Sequence, residues 1–222
     1  MSRNLIGGLI LLLLAGSAAS SSANDLVGSG AVGGRLGTSI FTADSLTGAN
    51  AQPRLTGDLV FSYVWQNRIT ADLTWGFGYN RLESGNDLYY VVASDPLFTL
   101  TGRFFLNDGN GWRPYLGVGG GAYKWAVLNY NLDPSIDPQT TERLHGTALG
   151  FHGMIGAERR MSPRIGMTGD LAYHYLLSEK QGDFPEGPRV LEYGGNKAYL
   201  QFRMGVSFYF SLSERVDTEL PE

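Results

Sequence analysis

Along residues 198–210, AYLQFRMGVSFYF, every second position from Leu200 is apolar: Leu200, Phe202, Met204, Val206, Phe208 and Phe210. The positions between are Tyr199, Gln201, Arg203, Gly205, Ser207 and Tyr209. Only a two-residue period sorts the sets this way, so the segment is predicted to be a strand with one apolar and one polar face. The alternation recurs in 55–65, where Leu55, Leu59, Phe61, Tyr63 and Trp65 oppose Thr56, Asp58 and Ser62. In 69–79, Ile69, Ala71, Leu73, Trp75, Phe77 and Tyr79 oppose Thr70, Asp72 and Thr74. Segments 97–106 and 165–177 follow the same rule; 114–125 and 147–160 carry it in blurred form, and 31–41 most weakly. The total is about eight strands, each near the roughly ten residues that a tilted membrane strand needs.

The connections alternate in length. QNR (66–68), NDGNG (107–111) and SPR (162–164) are short and rich in turn formers, whereas 42–54, 80–96, 128–143 and 178–197 are long. Short turns at one end and long loops at the other predict an all-β fold, an eight-stranded antiparallel up-and-down transmembrane β-barrel with both termini periplasmic.

A soluble barrel with its apolar face inward is the main alternative. Its exterior should be rich in Lys and Glu, yet the polar face here is mostly Gly, Ser and Thr with roughly one charge per strand. The apolar face is instead bulky and aromatic, with Trp65, Trp75, Tyr79, Trp125, Tyr175, Phe208 and Phe210 as candidates for the interfacial girdles of a lipid-facing barrel. A small lumen suits Gly and Thr better than rings. Slipping the last strand by one residue would aim Arg203 at lipid, at a cost of roughly 2–4 kcal/mol near the midplane.

Composition sharpens this picture. Charged residues are 17% of the chain, below the roughly 25% of ordinary soluble domains, and the net charge of −4 gives no nucleic-acid footprint. Cys is absent, which excludes disulfides, thiol catalysis and Cys-ligated metal. Residues 1–23 read as a cleaved signal peptide: Arg3, an apolar run from Leu5 to Ala15, then small residues up to Ala23. The expected organisation is therefore signal peptide 1–23, barrel 24–211 and a short periplasmic tail 212–222. Ser17 stands where a lipoprotein signal would carry Cys, so no lipid anchor is expected.

RPYLGVGGGAY (113–123), GMIGAERRMSPR (153–164), DLAYHYL (170–176) and AYLQFRMGVSFYF (198–210) resemble the small eight-stranded outer-membrane β-barrels of Gram-negative bacteria, of the outer membrane protein X, opacity-protein and OmpA transmembrane-domain type. The resemblance covers nearly the whole mature chain. It implies an outer-membrane location and recognition of the terminal aromatic, Phe210, by the barrel-assembly machinery. The tail after Phe210 is too short for a peptidoglycan-binding domain.

The interior parity collects ionisable groups of both signs: Asp58, Asp72, Glu158 and Asp170 with Arg35, Arg103, Lys124 and Arg203, and His152 and His174 beside them. Isolated charges in so narrow a space are expensive, so they are expected to pair and fill the lumen. The competing readings are a narrow ion or small-solute channel and a lipid A deacylase. The enzyme reading rests on His145, Thr147 and Glu142 near the outer rim, loosely similar to the deacylase His-x-Ser arrangement but with Thr for Ser. No cofactor and no metal site is expected: DPSIDP lacks the Gly and terminal Glu of a calcium loop, and GVGGGA lies inside a strand, so it is no phosphate loop. The expected role is structural or interactive, as a monomer, with membrane lipid and lipopolysaccharide as partners and a host or surface ligand met through the loops. Loop acids (Asp44, Asp87, Asp133, Asp137, Asp183, Glu186) and rim bases (Arg54, Arg81, Arg143, Arg189, Lys197) are the candidate contacts for cations and phosphates.

Overall fold

The computed structural model describes residues 26–41, 50–83, 89–108, 111–128, 145–177, 182–186, 189–193 and 197–212. Residues 1–25, where a signal peptide is expected, residues 213–222, Glu142, Arg143 and the loop acids Asp44, Asp87, Asp133 and Asp137 lie outside them. So do the side chains of Arg54, Tyr79, Arg81, Trp125, Asp183, Glu186, Arg189 and Lys197.

Among the described residues eleven strands form in chain order: β1 (Ser29–Phe41), β2 (Asn50–Gln52), β3 (Arg54–Gln66), β4 (Ile69–Glu83), β5 (Tyr89–Phe105), β6 (Trp112–Leu128), β7 (His145–Ser162), β8 (Ile165–Leu177), β9 (Gly182–Glu186), β10 (Arg189–Tyr193) and β11 (Lys197–Ser211). β2 and β3 are one stave interrupted at Pro53, which has no N–H to give to a ladder. Every pairing is antiparallel; β1 pairs β11 and β3, and β4 pairs β3 and β5, so the staves close into an eight-stranded barrel. Closure leaves no open edge in the membrane.

The question of which face looks where is answered by exposure. On β11, Phe202, Met204, Phe208 and Phe210 are about half exposed while Arg203 is 2% exposed. The same inversion holds around the barrel: Leu59, Phe61, Leu100, Leu149, Ile155 and Leu171 point outward, and Asp58, Thr74, Thr101, Glu158 and Asp170 are buried within. A water-soluble protein would be turned inside out by this pattern; lipid is the solvent it fits.

Two features depart from the sequence expectation. The stretches assigned to loops at 42–54, 80–96 and 178–197 contain strand, the first of them β2, which pairs β4. β4 and β5 run on as a hairpin, pairing Tyr79 with Ala93 and Glu83 with Tyr89, and β9 pairs β10. β5 also carries a bulge: Pro96 pairs Tyr123 and Phe98 pairs Ala122, leaving Leu97 as the extra residue. Proline cannot serve a regular ladder and belongs at such an irregularity.

The turn end is tied by backbone bonds from turn residues to neighbouring strands, Gly28 N donating to Val64 O of β3 at 2.9 Å and Tyr209 N of β11 to Arg164 O at 2.8 Å. Leu26, Ala31, Val64 and Tyr209 pack there as a small apolar floor.

Candidate functional site

The interior is the chemically rich part of the molecule. Inward parity on each stave is set by the apolar residues that must face lipid, so each polar position between them is delivered to the axis. Four buried arginines (Arg35, Arg103, Arg113, Arg203) face four buried carboxylates (Asp58, Asp72, Glu158, Asp170). Their formal charges cancel.

Two networks divide these groups. In the first, Arg35 Nε donates to Asp58 Oδ1 at 2.7 Å, and Arg203 Nη1 to Asp58 Oδ2 at 2.9 Å. Arg203 Nε donates to Asp170 Oδ1 at 2.8 Å, and Arg35 Nη1 to Asp170 Oδ2 at 3.4 Å. The four side chains, from β1, β3, β8 and β11, thus form a closed ring of alternating charge across the barrel. Tyr115 and Thr74 attach to it through Asp170 and Arg35. In the second network Arg103 grips Asp72 through Nε (2.8 Å) and Nη2 (3.0 Å) and reaches Glu158 through Nη1 at 3.0 Å. Arg113 approaches Glu158 at 4.0 Å, donates to the Asn67 carbonyl, and lies over the Phe105 ring at 4.1 Å.

On the loop side of the ring sits a cluster of hydroxyl and imidazole groups. Thr101 Oγ1 and His152 Nε2 are 2.8 Å apart; Tyr123 Oη bridges His152 Nδ1 (2.9 Å) and His174 Nδ1 (3.1 Å). His174 stacks on Tyr199 with ring centroids 4.5 Å apart, and Gln201 hydrogen-bonds Thr56.

Of the interior candidates named from sequence, all but one are brought together here. Lys124 is not: it is exposed, because the inward parity of β6 belongs to Arg113, Tyr115 and Tyr123. Glycines at 117 and 119–121 occupy both parities and erase the pattern that would have set the register. Arg113 was missed for the same reason; its shared parity with Tyr115 was the available signal. The interior also holds more rings than expected, with Phe105, Tyr115, Tyr123, Tyr199 and Tyr209 all buried. Inward glycines make the room: a Cβ on Gly156 would stand 2.6 Å from the Tyr115 ring.

Of the girdle candidates, Trp65, Trp75, Phe208 and Phe210 are exposed on the outer face, and Tyr175 is half-buried against Phe151 at 5.2 Å. Trp112, exposed at the turn end of β6, joins them. His145 and Thr147 lie exposed on the outer side of β7, and no hydrogen bond joins them. Among the described residues no group of three or more His, Cys, Asp or Glu is arranged to hold a metal. At the turn end, outside the membrane span, Arg68 clasps Asp108 at 2.9–3.1 Å. Hydrogen bonds from Arg68 hold the Asp108 carboxyl below the usual carboxylate range, and the carboxylate raises Arg68 in turn.

A closed barrel with a lipid-compatible exterior and an ionic interior defines an integral β-barrel of the bacterial outer membrane. The sequence matches the outer membrane protein beta-barrel domain over residues 9–210, and the chain belongs to that family. Its location is the bacterial outer membrane. Among solved structures it is similar to Neisserial surface protein A, with 11% identity, TM-score 0.57, and 82% of this chain and 99% of that chain covered. OprG of Pseudomonas aeruginosa is similar at 13% identity and TM-score 0.49 (86% and 99% covered), and Ail of Yersinia pestis, in complex with a heparin analogue, at 11% and 0.48 (83% and 99%). At these identities the likeness is one of fold. No curated protein matches the sequence.

Proposed function

We propose that the protein is a structural and surface-interaction barrel of the outer membrane, with a plugged interior and no catalytic centre. Its contacts are membrane lipid, lipopolysaccharide and surface ligands met by the long loops; the barrel-assembly machinery is its partner during biogenesis. The observation that carries this reading is the closed Arg35–Asp58–Arg203–Asp170 ring, with each of its side chains at most 6% exposed. Fixed charges of both signs across the axis leave no wet path of ordinary porin width. The exposed, unlinked His145 and Thr147 argue against a deacylase, which needs a base within hydrogen-bond reach of its nucleophile.

The test is conductance of the refolded protein in planar bilayers, run beside lipid A mass spectrometry on cells with and without it. The expected result is no step-like current and unchanged lipid A. Porin-sized steps overturn the plug, and a lost or transferred acyl chain overturns the non-catalytic reading and turns attention to His145.

A further inference from the structure

We infer that the turn-side half of β6, β7 and β8 carries a seat for one anionic glycerophospholipid of the periplasmic leaflet, with Arg159 holding its phosphate and a groove above Gly169 holding an acyl chain. The seat is separate from the interior plug: its cations and its acyl-contacting side chains lie on outward positions or in a turn.

Arg159 lies between the inward residues Glu158 and Arg160, so its guanidinium is on the lipid-facing side of β7. Its register neighbours are Trp112 on β6 and Met167 on β8. Arg164 is exposed in the adjoining turn. Among the described residues neither arginine has a carboxylate partner. Among the described residues, the exposed carboxylate at this end, Asp108, is already clasped by Arg68. Cations at the rim of a lipid-facing surface stand at the depth where anionic headgroups attract them. Trp112, half exposed beside Arg159, marks the headgroup level where such a charge is found. A phosphodiester suits a guanidinium because the fork of donors grips two oxygens at once.

The second observation is the shape of the neighbouring surface. One step into the membrane, the cross-strand row reads Pro114, Ala157 and Gly169. One step further it reads Leu116, Ile155, Leu171 and Phe202. A row of small residues between two rows of large ones makes a trough, and a groove of about 430 Å³ lies there, lined by these outward residues and reaching down to Tyr115, Gly156 and Asp170 at its floor. Arg159 lies two residues toward the turn from Ala157, on the same face of β7. An acyl chain entering from a phosphate held at Arg159 would run straight into the groove. The space above Gly169 is open: an added Cβ there would meet nothing closer than the Arg203 carbonyl at 3.9 Å.

The test is native mass spectrometry of the refolded, full-length mature protein in detergent, titrated with phosphatidylglycerol. Phosphatidylcholine and a bis-phosphorylated acylated disaccharide serve as the other probes. Wild type should retain phosphatidylglycerol in preference to both. R159Q should weaken that retention about fivefold, the loss of one surface cation's attraction, and R159K should recover part of it. G169L, which fills the trough without disturbing the backbone, should lower retention with the charges intact. R68Q should stay within twofold of wild type, because Arg68 is already paired. Heat-modifiable gel mobility shows that each variant is folded. Wild-type affinity in R159Q or G169L, or equal retention of phosphatidylcholine, overturns the seat. Preference for the disaccharide lipid overturns its assignment to the periplasmic leaflet. Bilayer conductance is untouched by any of these outcomes, so the failure of one reading is distinguishable from the failure of the other.

Discussion

Arginine meets aspartate in two very different places. Inside the barrel, Arg203 and Asp170 stand 2.6 Å apart with side chains at most 2% exposed. At the turn end, Arg68 and Asp108 stand 2.9 Å apart with side chains 50% and 42% exposed. The atoms and the distances are nearly the same; the surroundings are not. Water screens the outer pair and solvates either partner if the other is lost, whereas the inner pair, shut away from water, has only its ring and the Tyr115 hydroxyl beside it among the described residues. A contact distance therefore says little about worth until burial is known. The inner ring also specifies structure: its members come from four staves, and a one-residue slip of any of them would send a charge into lipid.

The comparison breaks most visibly at Asp170. D170N keeps the size of the side chain and removes the charge that neutralises Arg203 and part of Arg35. It should cost about 3–5 kcal/mol, the usual penalty for stranding a buried charge. Urea or guanidinium unfolding in lipid vesicles, followed by heat-modifiable mobility, reads this as a lower midpoint with unchanged slope. The sharper arm is the double replacement D170L/R203M, which removes one pair and leaves Arg35 with Asp58. It should recover most of the loss, returning to within about 2 kcal/mol of wild type. If the single and double variants are equally unstable, the ring is held by packing and its charges matter little.

A second effect tests the packing that allows the ring to form. Gly205 lies on the inward parity of β11 beside Arg35, and a Cβ there would come within 2.4 Å of Arg35 Cγ and 2.5 Å of the Gly34 carbonyl. G205A should cost about 1–3 kcal/mol as overpacking, read in the same unfolding assay. G34A, outward with nothing closer than 3.8 Å, is the matched control and should be near neutral.

These particulars explain what was legible in the sequence. β3, β4, β8 and β11 carry a large apolar residue at most outward positions, so their faces and their interior charges (Asp58, Asp72, Asp170, His174, Arg203) could be read directly. β6 could not, because its run of glycines serves both faces: Gly119 makes room for His152 inside, while Gly120 lies on the outward parity. That one ambiguity misplaced Lys124 and hid Arg113. The bulge at Leu97 and the β9–β10 hairpin were illegible for another reason. Both are set by which strand lies alongside, and a period within one strand carries no record of its neighbour. The pairing of charges, as distinct from their presence, depends on shear around the barrel and emerged only with the register.

The smallest effect belongs to the exposed pair, and its pH dependence gives the comparison its finest edge. Asp108 has its folded-state pKa depressed by hydrogen bonds from Arg68. A depressed carboxyl contributes stability above its unfolded pKa, near 4, and loses that contribution as pH falls through the lower folded value. D108N should therefore unfold slightly earlier than wild type at neutral pH, and the two should converge in acid, below the folded value. With Asp108 at the water interface the neutral-pH gap should be a small fraction of that for D170N. A D108N gap that matches D170N would mean that this turn, and not the interior ring, holds the barrel closed; a gap that persists unchanged into acid would mean that the Asn alters the turn by something other than charge.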